Sequence, residues 1–219
     1  MNNILSYLDE LFPNPKCELN YNKPYELLLA IVLSAQTTDK RVNQVTEILF
    51  SKYNTLEKLK DAKIEQIEQI IKPIGTYKKK AIFIHEIATI LYNNDGIIPR
   101  DSNFLESLPG VGRKTTNVYL SIIEEIPAIA VDTHVARVSK RLKLAQEHDN
   151  VLEIERKLMK KIPKERWSKT HHQLVLFGRY YCKAIKRECK KLCVKLPIHG
   201  NKDIWDWLYQ SLFVTIIIT

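Results

Sequence analysis

A helix that is apolar nearly all the way round is stable only when other elements cover it on every side. The run from Tyr25 to Ala35, with Leu27-Leu28-Leu29-Ala30-Ile31-Val32-Leu33 at its centre, is of that kind. It predicts a buried helix in the middle of a helical assembly. Pro24 stands just before it, where a first helical turn tolerates proline. The neighbouring segments keep helical spacing too. Residues 2–12 read as a short helix stopped by Pro13 and Pro15. Thr37, Thr38 and Asp39 can cap a helix that carries Val42, Val45, Ile48 and Leu49 on one face. Leu56, Leu59, Ile64, Ile67, Ile70 and Ile71 continue the spacing up to Pro73, and residues 78–91 place Ile84, Ile87 and Leu91 on one side before Asn93-Asn94-Asp95-Gly96. Further helices are predicted over 104–108, 114–123, 132–144, 151–162 and 169–181. No alternating apolar–polar run is long enough for a sheet, so the predicted class is all-α.

Charge narrows the partner. Lysine and arginine total 34 against 25 acidic residues, a formal net charge of +9. A chain this basic suits a polyanion, because neutralising phosphates releases counterions, although a solvated basic surface has the same composition. The first residues, with Asp9 and Glu10, lack the apolar core of a secretion signal. No window reaches the roughly 20 apolar residues of a membrane span. A cytoplasmic protein without a membrane partner is expected, its four cysteines serving as thiols or metal ligands rather than disulfides.

The most informative stretch is Leu108-Pro109-Gly110-Val111-Gly112-Arg113-Lys114-Thr115. Gly110 and Gly112 permit backbone angles closed to other residues, so the chain can turn tightly between two helices. They also leave N–H groups bare at the positive start of the second helix, where a phosphate oxygen can be held. Val111 can anchor the turn in the core, and Arg113 and Lys114 add positive charge. A nucleotide P-loop is excluded, because Arg113 stands where that loop needs glycine and a helix precedes the turn. A plain glycine turn between packed helices is the competing reading.

The hairpin, followed by Val131-Asp132-Thr133-His134-Val135 with its aspartate eighteen positions after Lys114 (114 to 132), resembles endonuclease III. Leu33-Ser34-Ala35-Gln36-Thr37-Thr38-Asp39 and Glu18-Leu19-Asn20-Tyr21 match the same family in the same order. The resemblance covers about residues 1–193. It implies a fold of two helical lobes with a DNA-binding cleft between them: a six-helix lobe over 18–126, a second lobe from 1–17 and 127–200, and an apolar tail over 201–219. It implies a bifunctional DNA glycosylase and abasic-site lyase acting, as a monomer, on double-stranded DNA with oxidised pyrimidines or abasic sites. The alternatives are a monofunctional glycosylase of the same superfamily and a non-catalytic DNA-binding module.

By the same resemblance Lys114 is the nucleophile; its amine must be neutral to attack, and burial, the positive start of the helix and neighbouring Arg113 are expected to favour the neutral form. Asp132 stabilises positive charge on the sugar and assists proton transfer; its local sequence equally fits a helix N-cap, and both roles can coexist. Gln36 fills the space left by the extruded base. Gly110, Val111, Gly112, Arg113 and Thr115 grip the strand, and Thr76 stands in the loop that probes the opposite strand, where the family more often has an apolar wedge. Glu106 and His134 are supporting residues.

The family's four-iron cluster implies cysteines spaced Cys-x6-Cys-x2-Cys-x5-Cys. Cys182 and Cys189 reproduce the first gap, Cys193 falls one position late, and no further cysteine follows. His199 is a candidate fourth ligand. Cys17 is remote in sequence but is expected in the lobe of the N-terminal helix. The expectation is that the cluster is absent. The apolar tail from Ile204 to Thr219 is expected to pack where the cluster would have given support.

Overall fold

The computed structural model of the protein describes residues 1–184, which are helical with no strand among them. They divide into two compact units. One, here the hairpin unit, comprises Lys16–Ala130 and Lys164–His171; the other, the terminal unit, comprises Met1–Pro15, Val131–Pro163 and the described residues from His172 onward. No helix of the described residues is long and apolar enough to cross a membrane.

The terminal unit holds helix α1 (Asn2–Leu11). The centre of the hairpin unit is helix α2 (Pro24–Ser34), in which Leu27, Leu28, Leu29, Ala30 and Leu33 are fully buried. Pro24 opens it, and the Glu26 carboxylate accepts hydrogen bonds from the backbone N–H groups of Asn22 and Lys23 at 2.7 and 3.2 Å. Helix α3 (Asp39–Lys52) packs on α2 through Val42, Val45 and Leu49. Ile48, expected on that face, is 56% exposed. At about 100° per residue it lies some 110° from the middle of the buried stripe, whereas buried Thr46 lies only about 50° from it on the other flank. Thr38 sits at the N-cap of α3 without a side-chain capping bond.

The predicted continuous spacing from Leu56 to Ile71 is two helices, α4 (Leu56–Lys60) and α5 (Ile64–Ile71), because the chain turns at Asp61–Lys63. Both pack on α6 (Tyr77–Asn93), whose Ile84, Ile87 and Leu91 are fully buried. Gly96, with φ +74°, closes α6 by donating its N–H to Leu91 O at 2.8 Å. Helix α7 (Ser102–Ser107) is capped by Asp101, whose carboxylate accepts from Asn103 and Phe104 N–H at 3.1 Å each. Helix α8 (Arg113–Ile123) follows and packs on α7 and α2. Cys17, expected with the N-terminal helix, lies outside α1 and packs against the core of the hairpin unit.

The terminal unit continues with α9 (Thr133–Arg141) and α10 (Val151–Lys161), which pack together. The helix predicted over 132–144 stops at Arg141, because Lys143 turns left-handed at φ +58° and Leu144 N–H folds back to Ser139 O at 2.9 Å. Helix α11 (Trp167–Tyr180) enters this unit at His172. There Gln173 Nε2 donates to Asp9 Oδ1 and Phe12 O at 3.0 Å each, and Tyr7 meets Phe177 edge-on with ring centroids 6.5 Å apart.

Candidate functional site

The turn between α7 and α8 is fastened from inside. Leu108 and Val111 are buried, and Val111 N–H donates to Leu108 O at 3.1 Å. Gly110 has φ +75°, and a Cβ there would overlap the ring of Phe83 on α6. Both its backbone angle and its surroundings therefore require glycine. Gly112 has φ −116°, ordinary extended backbone, with nothing within 4 Å of where a Cβ would lie. The expectation of a special angle at Gly112 is thus corrected. As the N-cap residue it has no side chain to cover the first turn of α8, so that turn can be approached closely at the positive end of the helix dipole.

Arg113 and Lys114 open α8 and are exposed, whereas Thr115 is half-buried. Burial of Lys114 is not observed. Thr116, Tyr119 and Leu120 face the core, and Lys114, two residues before Thr116, is turned about 200° around the helix from it. Glu106 is an exposed residue of α7.

Two exposed turns of the hairpin unit contain non-glycine residues in the left-handed region, Gln36 at φ +58° and Thr76 at φ +57°. Lys80, absent from the sequence-based candidates, stands one turn into α6, which Thr76 opens, and reaches the end of α2 just before Gln36. Buried on α6, it donates from Nζ to Leu33 O at 3.0 Å and to Ala35 O at 2.6 Å. The signal that could have found it is its register: it stands one turn before Ile84 on the core-facing side of α6, where a lysine is out of place. Phe83, likewise missed, backs Gly110 and lies under Lys79, whose Nζ is 5.5 Å from the ring centroid.

In the terminal unit Asp132 is half-buried at the N-cap of α9, with Oδ1 accepting the Val135 N–H at 2.7 Å. His134 packs against Gly178 so closely that a Cβ there would be 2.8 Å from the His134 Cβ, and its Nδ1 lies 3.1 Å from Arg137 Nη2. Arg137 also donates to Gly178 O at 2.9 Å and Cys182 O at 3.0 Å, closing the end of α11. Arg141 Nη1 is 3.2 Å from the sulfur of buried Cys182. Cys189, Cys193, His199 and the apolar tail lie outside the described residues. Among the described residues no group of three or more His, Cys, Asp or Glu could hold a metal ion.

With the hairpin and its flanking turns in place, similarity to known proteins identifies the family. The family described as HhH-GPD superfamily base excision DNA repair protein matches residues 29–164. The chain belongs to this family. Endonuclease III of Bacillus subtilis (strain 168) is 49% identical over 186 residues, covering 84% of this chain and 85% of that protein. A trapped endonuclease III–DNA covalent intermediate, an estranged-adenine complex, superposes with a TM-score of 0.81 at 50% identity, covering 85% of this chain and 88% of its own. A non-covalent endonuclease III–DNA complex reaches 0.85 at 48% identity, covering 89% of this chain and 92% of its own.

Within this HhH-GPD chain the two hairpin glycines are expected to respond differently. Gly110→Ala forces an L-residue into the left-handed region, at about 1–2 kcal/mol, and displaces Phe83 besides. For a chain of this size each kcal/mol lowers the melting temperature by about 2–4 °C. Gly112→Ala meets open space and an ordinary angle, and should leave the melting temperature where it is. Thermal denaturation followed by circular dichroism checks the pair; equal falls would contradict the assignment of the strained position to Gly110.

Proposed function

We propose that the chain is a bifunctional DNA glycosylase and abasic-site lyase of base excision repair, taking oxidised pyrimidines from double-stranded DNA. One observation carries this reading. A primary amine, Lys114, follows directly on a glycine hairpin in a chain half identical to an endonuclease III trapped covalently on DNA. A monofunctional glycosylase that uses water as nucleophile would need no amine there.

The damaged nucleotide leaves the stack, at a cost of a few kcal/mol that is smaller for a damaged base. Lys114 Nζ forms a bond to the sugar C1′ as the bond from C1′ to the base nitrogen breaks, and the base leaves with that electron pair and takes up a proton. Opening of the sugar ring yields an imine between Nζ and C1′. Loss of a C2′ proton then expels the 3′ phosphate oxygen with its electron pair, cutting the strand by β-elimination. Asp132 stabilises the positive charge that develops on the sugar. The first turn of α8, with Gly110, Val111, Gly112, Arg113 and Thr115, grips a strand phosphate. Gln36 fills the vacated space and Thr76 meets the opposite strand, while Glu106 and His134 have supporting roles.

The cysteine spacing departs from that of a four-iron cluster: two thiols, Cys189 and Cys193, follow Cys182, His199 is the candidate fourth ligand, and Cys17 packs against the core of the hairpin unit. Our reading is an enzyme without the cluster, and no step of the reaction runs through one. Its proposed place of work is the cytoplasm, as a monomer.

The test is single-turnover cleavage of a labelled duplex carrying one thymine glycol. Nicking at the lesion is expected. Base release without strand cleavage would indicate the monofunctional chemistry, and retardation of the duplex without either would indicate a binding module.

A further inference from the structure

The hairpin unit contains a buried cation that the reaction does not use. Lys80 is 4% exposed, and burial pushes its ammonium below lysine's ordinary value. Its Nζ donates to two backbone carbonyls, Leu33 O and Ala35 O, at the C-terminal end of α2. That end carries the negative pole of the helix dipole and carbonyls without partners inside the helix, so a donor there is stabilising. The residue immediately after Ala35 is Gln36, left-handed and exposed. Position C′ after a helix ordinarily takes glycine or asparagine. A glutamine held there against its own preference needs the preceding carbonyls fixed.

The same lysine stands one turn into α6, whose N-cap is Thr76. Its backbone N–H donates to Thr76 O at 3.1 Å. An N-cap residue is normally extended, and Thr76 is instead left-handed. A second tie reaches the segment before Thr76 from the helix that follows Gln36: Arg41, near the start of α3, donates from Nη1 to Pro73 O at 3.4 Å. Strained non-glycine backbone persists only where the surroundings over-determine it. Here the Lys80 side chain ties the carbonyls before Gln36 to the first turn of α6, which Thr76 opens, and Arg41 ties the start of α3 to Pro73.

We propose that Lys80 is a positioning residue that locks the Gln36 and Thr76 turns into one rigid pair, so that both side chains meet the duplex in a single preset arrangement. The inference rests on the repair function proposed above, since only a duplex requires the two turns to act together. Lys80 touches neither the base nor the sugar; it acts through Gln36 and Thr76.

Its test compares Lys80→Met with the wild type in two ways. In the free protein, hydrogen–deuterium exchange should speed up at residues 34–38 and 73–77 together, while the α2 core keeps its protection. In single-turnover assays, cleavage of the thymine-glycol duplex should fall about tenfold or more, the scale of losing a charged donor's bonds. Strand cleavage at a preformed abasic site in single-stranded DNA, where no partner strand has to be held apart, should be retained. In a background carrying both Gln36→Ala and Thr76→Ala, the added Lys80→Met change should have little further effect on the duplex, because Lys80 acts through those two side chains. A fall that multiplies in that triple variant, or one that strikes both substrates equally, would mark Lys80 as merely structural. Should Lys80→Met not fold, Arg41→Met, a change at an exposed residue, decides: the same selective duplex defect, smaller in size, supports the coupling, and an unchanged ratio overturns it. An inactive wild type would overturn the repair reading alone, leaving the exchange experiment to support or overturn the locking of the two turns.

Discussion

Replacing Lys114 by alanine is expected to abolish the borohydride-trapped adduct with abasic DNA and to lower base release by about three orders of magnitude or more, some 4 kcal/mol at 1.36 kcal/mol per decade. The argument is chemical. Reduction traps only an imine, and an imine to the sugar requires a primary amine. Lys114 is exposed in the first turn of α8, away from the side of the helix that buries Thr116, Tyr119 and Leu120. Its truncation should therefore leave the melting temperature within the small range of surface substitutions. Lys114→Arg should keep duplex affinity, because the charge beside the hairpin remains, and should still fail to trap, because a guanidinium stays protonated. A trapped complex that persists in both variants would move the nucleophile to another amine.

The second large effect is expected at Asp132, where capping and chemistry can be separated. Asparagine caps a helix about as well as aspartate. Asp132→Asn should therefore keep the bond to Val135 N–H, 2.7 Å in the native chain, and with it the stability of α9. It removes the negative charge, and base release should fall about 10²–10³-fold, the scale seen when one preorganised electrostatic partner of a transition state is lost. Asp132→Ala loses both, and should add about 1 kcal/mol of destabilisation. Kinetics and thermal melting on the two variants check this; unchanged turnover in Asp132→Asn would leave Asp132 a cap and nothing more.

Much of the candidate site is legible in the chain because its signals are local. Pro24 and the apolar run behind it specify α2, and Gly110-Val111-Gly112 specifies a tight turn ahead of a basic helix start. Asp132 advertises a cap and is one. Local signals also mislead where two arrangements share a pattern. Ile48 has the spacing of a core residue, yet it lies beyond the edge of the buried stripe and stays exposed, while Thr46, whose hydroxyl donates to Val42 O at 3.0 Å, is buried. The glycines of the hairpin look equivalent, and differ because Phe83 stands behind only one of them.

The residues that the sequence left unmarked are those whose partners are distant along the chain. Lys80 reaches carbonyls 47 and 45 positions away. Arg137 closes a helix end 41 and 45 positions on, at Gly178 and Cys182.

From its sequence alone this chain is committed to helices, to a buried central one among them, and to a basic helix opened by a glycine hairpin, because propensity, periodicity and turn chemistry act over a few neighbouring residues. Which turn needs its glycine, which isoleucine stays in water and which lysine goes inside were decided by packing, because those outcomes depend on atoms that only folding brings within a few ångströms of one another.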